Sequence, residues 1–150
     1  MLKKYLSKID VHKVVSFDVY DTLIKRNVNM SSDVFDLVEI RYYLMEGRHI
    51  SDYRQNRYKA YERAYKQHGS RCSLDDIFDN LDLEEGIDVQ KIKQIEIMIE
   101  KDISVANVEM LDIYEYALEH AEKVVLITDM YLPLHIIIDI LDNCGINRYE

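Results

Sequence analysis

The chain has 150 residues, of which 48% are hydrophobic and 31% charged, with a formal net charge of -9. That length suits one domain, or a core carrying a small insertion, and the composition supports a buried core. The charge argues against a nucleic-acid groove or an anionic membrane surface, both of which want clustered Lys and Arg. Cys72 and Cys144 are the two cysteines and neither lies in a Cys-x-x-Cys pair, so they form no disulfide framework. Free thiols, a first segment without an apolar signal-peptide core, and no long apolar run point to a cytoplasmic protein.

In chain order, Leu2–Ile9 reads as a short helix with Leu2, Tyr5, Leu6 and Ile9 on one face. Next comes Val14-Val15-Ser16-Phe17-Asp18-Val19-Tyr20-Asp21-Thr22-Leu23. Its first four residues read as a buried strand, and Asp18 falls where that strand ends. Ligands of open parallel sheets bind at the carboxyl ends of strands. A carboxylate there serves as a nucleophile or a metal ligand, and the alternative is that Asp18 and Asp21 only shape a turn. Lys25-Arg26-Asn27 lead into a polar connection, and Arg26 is the basic group nearest the motif, suited to gripping an anion.

A helix is expected from Ser31 or Ser32, with Val34, Phe35, Leu37, Val38, Ile40 and Tyr43 forming a broad apolar face and Gly47 the stop. Ser51 is the expected cap of the next helix, to about His68. Its tyrosines are read as packing and its cations as facing water, although Arg54 and Arg57 share a face that would suit a substrate pocket. Ser73-Leu74-Asp75-Asp76 has the form of a capped helix start. Asp88 caps a helix with Val89, Ile92, Ile95, Ile99 and Ile103 inward, on which Glu96 and Glu100 read as surface acids. Asn107 caps another, with Val108, Leu111, Tyr114 and Leu118 inward. Lys123 to Asp129 is a second apolar strand ending in a hydroxyl and an acid. Pro133 then precedes a helix over Leu134–Asn143 that Gly145 ends.

Both strands are continuous apolar runs, the pattern of a parallel sheet covered on both faces. The connection from Val19 to Glu122 runs 104 residues, whereas a parallel crossover needs only about a dozen. The surplus therefore predicts an inserted helical cap, with the helix from Asn107 as the true crossover.

Phe17-Asp18-Val19-Tyr20-Asp21-Thr22-Leu23 resembles the first motif of the haloacid dehalogenase superfamily. Leu126-Ile127-Thr128-Asp129-Met130-Tyr131-Leu132-Pro133 resembles its second. The extended forms are similar to a branch of hydrolases found alongside glycosyltransferases of bacterial surface polysaccharides. The resemblance implies an α/β fold: a partial Rossmann-like core of parallel strands over 1–30 and 105–150, with a helical cap over 31–104. It implies that Asp18 is the nucleophile of a phosphatase acting on a small phosphorylated metabolite through an aspartyl intermediate. Thr128 would hold the phosphoryl group, and Arg26, Thr22 and Asp129 would lie on the substrate side. Magnesium is the implied cofactor, bound by the Asp18 carboxylate and the Tyr20 carbonyl. Tyr20 stands where the family's acid/base Asp is expected, and Asp21 is the substitute proton donor. After the second motif the only Lys or Arg is Arg148, close to the last residue, and the acids Asp139 and Asp142 lie within a helix pattern, so the family's later Lys or Arg motif and its acidic pair at a strand end are missing, which predicts a truncated, inactive hydrolase fragment. Open sheet edges or terminal helix faces would then favour a homo-oligomer. The alternatives are a non-catalytic binding or assembly module and a metal-independent dehalogenase, the latter suggested by Tyr20.

Overall fold

The computed structural model describes residues 2–149, with only the backbone described for Leu2 to Lys4. The fold is mixed α/β, with mostly helical content and a small parallel sheet. It divides into two compact units. One, the strand unit, comprises Met1–Asn27, Ser104–Met130 and Ile138–Glu150. The other, the helical unit, comprises Val28–Ile103 and Tyr131–Ile137. The longer segment of the helical unit runs from Val28 to Ile103. That Tyr131–Ile137 groups with the helical unit has no signal in the sequence.

In the strand unit, α1 (Leu2–Ile9) leads to β1 (Val14–Asp18), which pairs in parallel with β4 (Lys123–Ile127). The register sets Val14 beside Lys123 and Asp18 beside Ile127. The helix α6 (Val108–His120) packs against α1 and delivers the chain into β4. Phe17 meets Tyr114 of α6 edge to face, with ring centroids 5.8 Å apart. Phe17, Val19 and Val124 are buried beneath that helix layer, and each such side chain contributes about 1.5–3 kcal/mol of apolar transfer.

The expectation of a sheet covered on both faces is not met. Exposure along β1 alternates, with Phe17 buried and Val14, Ser16 and Asp18 exposed. Val14 and Ile127, which share the second face, are 55% and 58% exposed. An apolar run signals two covers only when a second layer is present, and here a single helix layer lies on the sheet.

A second, antiparallel pair joins β2 (Ile24–Arg26) to β3 (Ser104–Ala106). It occupies the two points where the chain leaves and re-enters the strand unit, the first of which reads in sequence as a polar connection. Three residues are too few for a period-2 pattern to register.

The helical unit holds α2 (Asp33–Glu46), α3 (Tyr53–His68), α4 (Leu74–Asp79) and α5 (Val89–Ile103). The helix α2 packs on α5 and α3, and α3 packs on α4. Gly47 ends α2 with a left-handed φ of 68° that a side chain would strain. Ser73 forms a reciprocal capping box with Asp76, as its spacing predicts. The Asp88 carboxylate accepts the Lys91 N–H at 3.0 Å and so caps α5. Ser32 makes no capping bond; Asp33 instead accepts the Met30 N–H at 2.9 Å. The residue preceding α3 is Asp52, in a left-handed conformation, rather than Ser51. In α2, Tyr42 is buried in place of Ile40 and Tyr43, and in α6 Ile113 and Ala117 are buried while Val108 is 72% exposed. The helix α7 (Leu134–Asn143) matches its predicted span, and Gly145 follows it at φ 76°. Cys72 and Cys144 are unpaired, and burial raises both thiols above their ordinary range.

The two acids read as surface residues of α5 are inside. Glu96 and Glu100 are 0% and 1% exposed. They occupy the same stripe as Ile92, Ile95 and Ile99, so helical periodicity had already assigned them inward. Arg57 on α3, 1% exposed, grips Glu96 in a bidentate pair: Nε donates at 3.0 Å and Nη2 at 2.6 Å. Tyr53 donates its hydroxyl to the same carboxylate at 3.1 Å. The guanidinium carbon lies 5.1 Å from the Phe35 ring, 5.6 Å from Phe78 and 5.1 Å from Tyr131. Burial works against the Arg57 charge, yet Glu96 and the neighbouring Tyr131 and Tyr53 together more than offset it and the group is held more firmly protonated than usual. Burial first, then the Glu96 charge, pushes the Tyr53 hydroxyl well above its ordinary value. Arg57 is therefore a core residue and not a pocket residue. Arg54, its expected companion, is bound to Asp36 and, at 3.1 Å, to Asp33. Of the helix's tyrosines only Tyr53 is buried; Tyr58, Tyr61 and Tyr65 are exposed.

Candidate active site

The strand unit contains all the candidate residues: Asp18, Tyr20, Asp21, Thr22, Arg26, Thr128 and Asp129. Asp18 is the last residue of β1, and its neighbour across the sheet is Ile127, so Thr128 stands one position beyond the same edge. Parallel pairing aims both chain exits the same way, which brings an acid and a hydroxyl to one end of the sheet.

The backbone after Asp18 turns sharply. Val19, 1% exposed, accepts two bonds at its carbonyl, from Leu23 N–H at 2.9 Å and Ile24 N–H at 3.0 Å. Leu23 and Ile24 are completely buried and anchor the turn. Asp21 sits at its apex with φ 57°. That left-handed conformation is free for Gly and tolerated by Asp and Asn, whose short side chains bond locally. Asp21 thus has a turn-forming role independent of any chemistry, and its exposed carboxyl remains beside the site.

Thr22 donates its hydroxyl to Asp18 Oδ2 at 3.1 Å. The other oxygen, Oδ1, has no protein partner among the described residues. A carboxylate held by one oxygen and open at the other is oriented for attack without being neutralised. The Thr128 hydroxyl oxygen accepts the Met130 N–H at 3.2 Å, which leaves its own proton available to a ligand oxygen.

Asn107 was expected only as a helix cap, and it makes no capping bond. Its side chain donates to the Thr22 carbonyl at 2.7 Å and its backbone N–H to Leu23 O at 2.8 Å. It is 7% exposed and fixes the turn from below. Nothing in its local sequence separates this task from capping, because both use the same short amide.

Arg26 does not reach towards Asp18 as a free anion grip. Its guanidinium carbon lies 4.6 Å from the Tyr20 ring centroid and Nη2 lies 3.6 Å from Met130 Sδ. These contacts hold it across the two motif loops within the strand unit. Asp129 is exposed and Thr128 half-buried. An open groove of about 520 Å³ runs beside β1, bounded by Lys8, His12, Ser16 and Met110 along its length and by Asp18 and Thr22 at one mouth.

Magnesium requires near-octahedral oxygen ligands. The Asp18 carboxylate and the Tyr20 carbonyl are the two ligands that the resemblance implies. Among the described residues no three His, Cys, Asp or Glu side chains converge as a metal site. Among the described residues no helix is long and apolar enough to cross a membrane. The chain matches no protein-family profile and no curated protein sequence.

Proposed function

We propose that this chain is a phosphohydrolase-like domain of the haloacid dehalogenase type, acting on a small phosphorylated metabolite. The supporting observation is the parallel register of β1 and β4, in which Asp18 and Thr128 end adjacent strands at one edge. In this reading a free Asp18 oxygen attacks phosphorus and the bond to the leaving oxygen breaks. The Thr128 hydroxyl donates to a phosphoryl oxygen. Asp21, whose exposed carboxyl sits in the turn three residues after Asp18, protonates the leaving oxygen in place of the Tyr20 side chain. Water then cleaves the aspartyl phosphate, which restores the carboxylate and releases phosphate.

The test does not depend on fast turnover. The full chain is incubated with acetyl phosphate or a sugar phosphate, with and without magnesium, and weighed intact. A phosphate adduct that hydroxylamine removes, present in wild type and absent in Asp18→Asn, is the expected result. An adduct that persists in Asp18→Asn, or none under any condition, overturns the reading. Halide release from a 2-haloacid without metal would instead favour the dehalogenase.

A further inference from the structure

We infer that the free edge of β1 is a self-association surface, on which β1 of a second copy pairs antiparallel about Ser16.

The ladder to β4 fixes which backbone groups are spoken for. Lys123 N–H bonds to Lys13 O at 3.0 Å, and Val19 N–H bonds to Ile127 O at 3.1 Å. In a parallel ladder alternate residues turn both groups to the same neighbour, so the odd-numbered residues of β1 face β4. Val14, Ser16 and Asp18 therefore turn their N–H and C=O outward, and none of these has a backbone partner among the described residues. The groove of about 520 Å³ runs along this edge, so it is open to an incoming strand. On the opposite edge of the sheet Val124, whose backbone groups face outward there, is 5% exposed.

Charge selects the occupant and its direction. The groove carries Lys8 and His12 at the end where β1 begins, and Asp18 and Asp21 at the end where it finishes. A parallel partner would set like charges together. An antiparallel copy sets each acidic end against the basic end of its mate, the isologous arrangement of a two-fold dimer. The outward residues are symmetric about Ser16. Centring the pair there puts Ser16 opposite the partner's Ser16 and Val14 opposite the partner's Asp18, and every outward N–H and C=O is then satisfied. A chain of net charge -9 resists indiscriminate association, so a locally complementary edge is the surface that overcomes it.

Self-association does not depend on the hydrolase reading, and its readouts need no turnover.

Light scattering on the full chain across a concentration series should show a dimer. Ser16→Cys should then form a disulfide-linked dimer on mild oxidation, because directly opposed residues are about 5.5 Å apart at Cα. Val14→Cys should not, because its two copies lie about 14 Å apart in this register. Wild type, with Cys72 and Cys144, sets the background. Lys8→Glu combined with His12→Glu should weaken the dimer at least tenfold while far-UV circular dichroism stays unchanged. A monomer at the highest attainable concentration overturns the proposal. So does cross-linking of Val14→Cys as readily as Ser16→Cys.

Discussion

The two units of this protein treat charge in opposite ways. The helical unit takes an arginine and two glutamates into its core and sets the rings of Phe35, Phe78 and Tyr131 around the arginine. The strand unit buries almost nothing but apolar side chains and leaves Asp18, Asp21 and Asp129 at its surface. A buried ion pair rarely adds stability over an apolar replacement, but it penalises every arrangement in which either partner is left alone. An exposed carboxylate costs the fold little and keeps its full reactivity. The contrast teaches that acids of one chain can serve in different ways: Glu96 selects one packing of helices, while the acids at the end of the parallel sheet stay in contact with solvent.

The largest way to break the contrast is to orphan the buried cation. Glu96→Ala leaves the Arg57 guanidinium without its carboxylate in an apolar setting, and a loss of about 3–5 kcal/mol is expected in urea unfolding. The paired replacement Arg57→Met with Glu96→Leu should recover most of that loss, since it removes both charges together. If the single and double variants unfold alike, the pair is not acting as a unit.

A smaller effect is expected where the strand unit does depend on a buried polar group. Asn107→Ala removes the 2.7 Å bond to the Thr22 carbonyl and leaves that oxygen poorly satisfied, at a cost of about 1–3 kcal/mol by the same measurement. Because Thr22 holds Asp18, any adduct formed at Asp18 should also accumulate more slowly.

The smallest stability change is expected at the proposed nucleophile. Asp18→Asn replaces an exposed carboxylate by an amide of the same shape, and its urea midpoint should move by no more than about 0.5 kcal/mol equivalent. A large destabilisation there would mean that the carboxylate supports the fold, and the contrast between the units would fail.

Much of this arrangement can be read from the chain. The two apolar runs ending in Asp18 and Thr128 are long enough to register as strands, and their separation predicts a helical insertion. The Ser73–Asp76 capping box and the Gly47 stop are local chemistry, fully written in a few residues. The antiparallel pair of β2 and β3 is not legible, because Ile24-Lys25-Arg26 and Ser104-Val105-Ala106 show no periodicity and are joined only by a distant pairing. Glu96 misleads for a different reason. Its charge suggests solvent, while its place in the stripe with Ile92 and Ile99 suggests the core, and only the tertiary partner Arg57 decides between them. The open second face of the sheet is a fact about layers, which no strand encodes by itself.

The left-handed backbone at Asp21 separates form from reactivity at one position. Glycine or asparagine can hold the same bend, so a change from acid to neutral there leaves the loop's path intact while altering which protons are on offer. Selection can therefore tune acidity beside Asp18 without rebuilding the turn that presents it, and valine or isoleucine is shut out whatever the reaction.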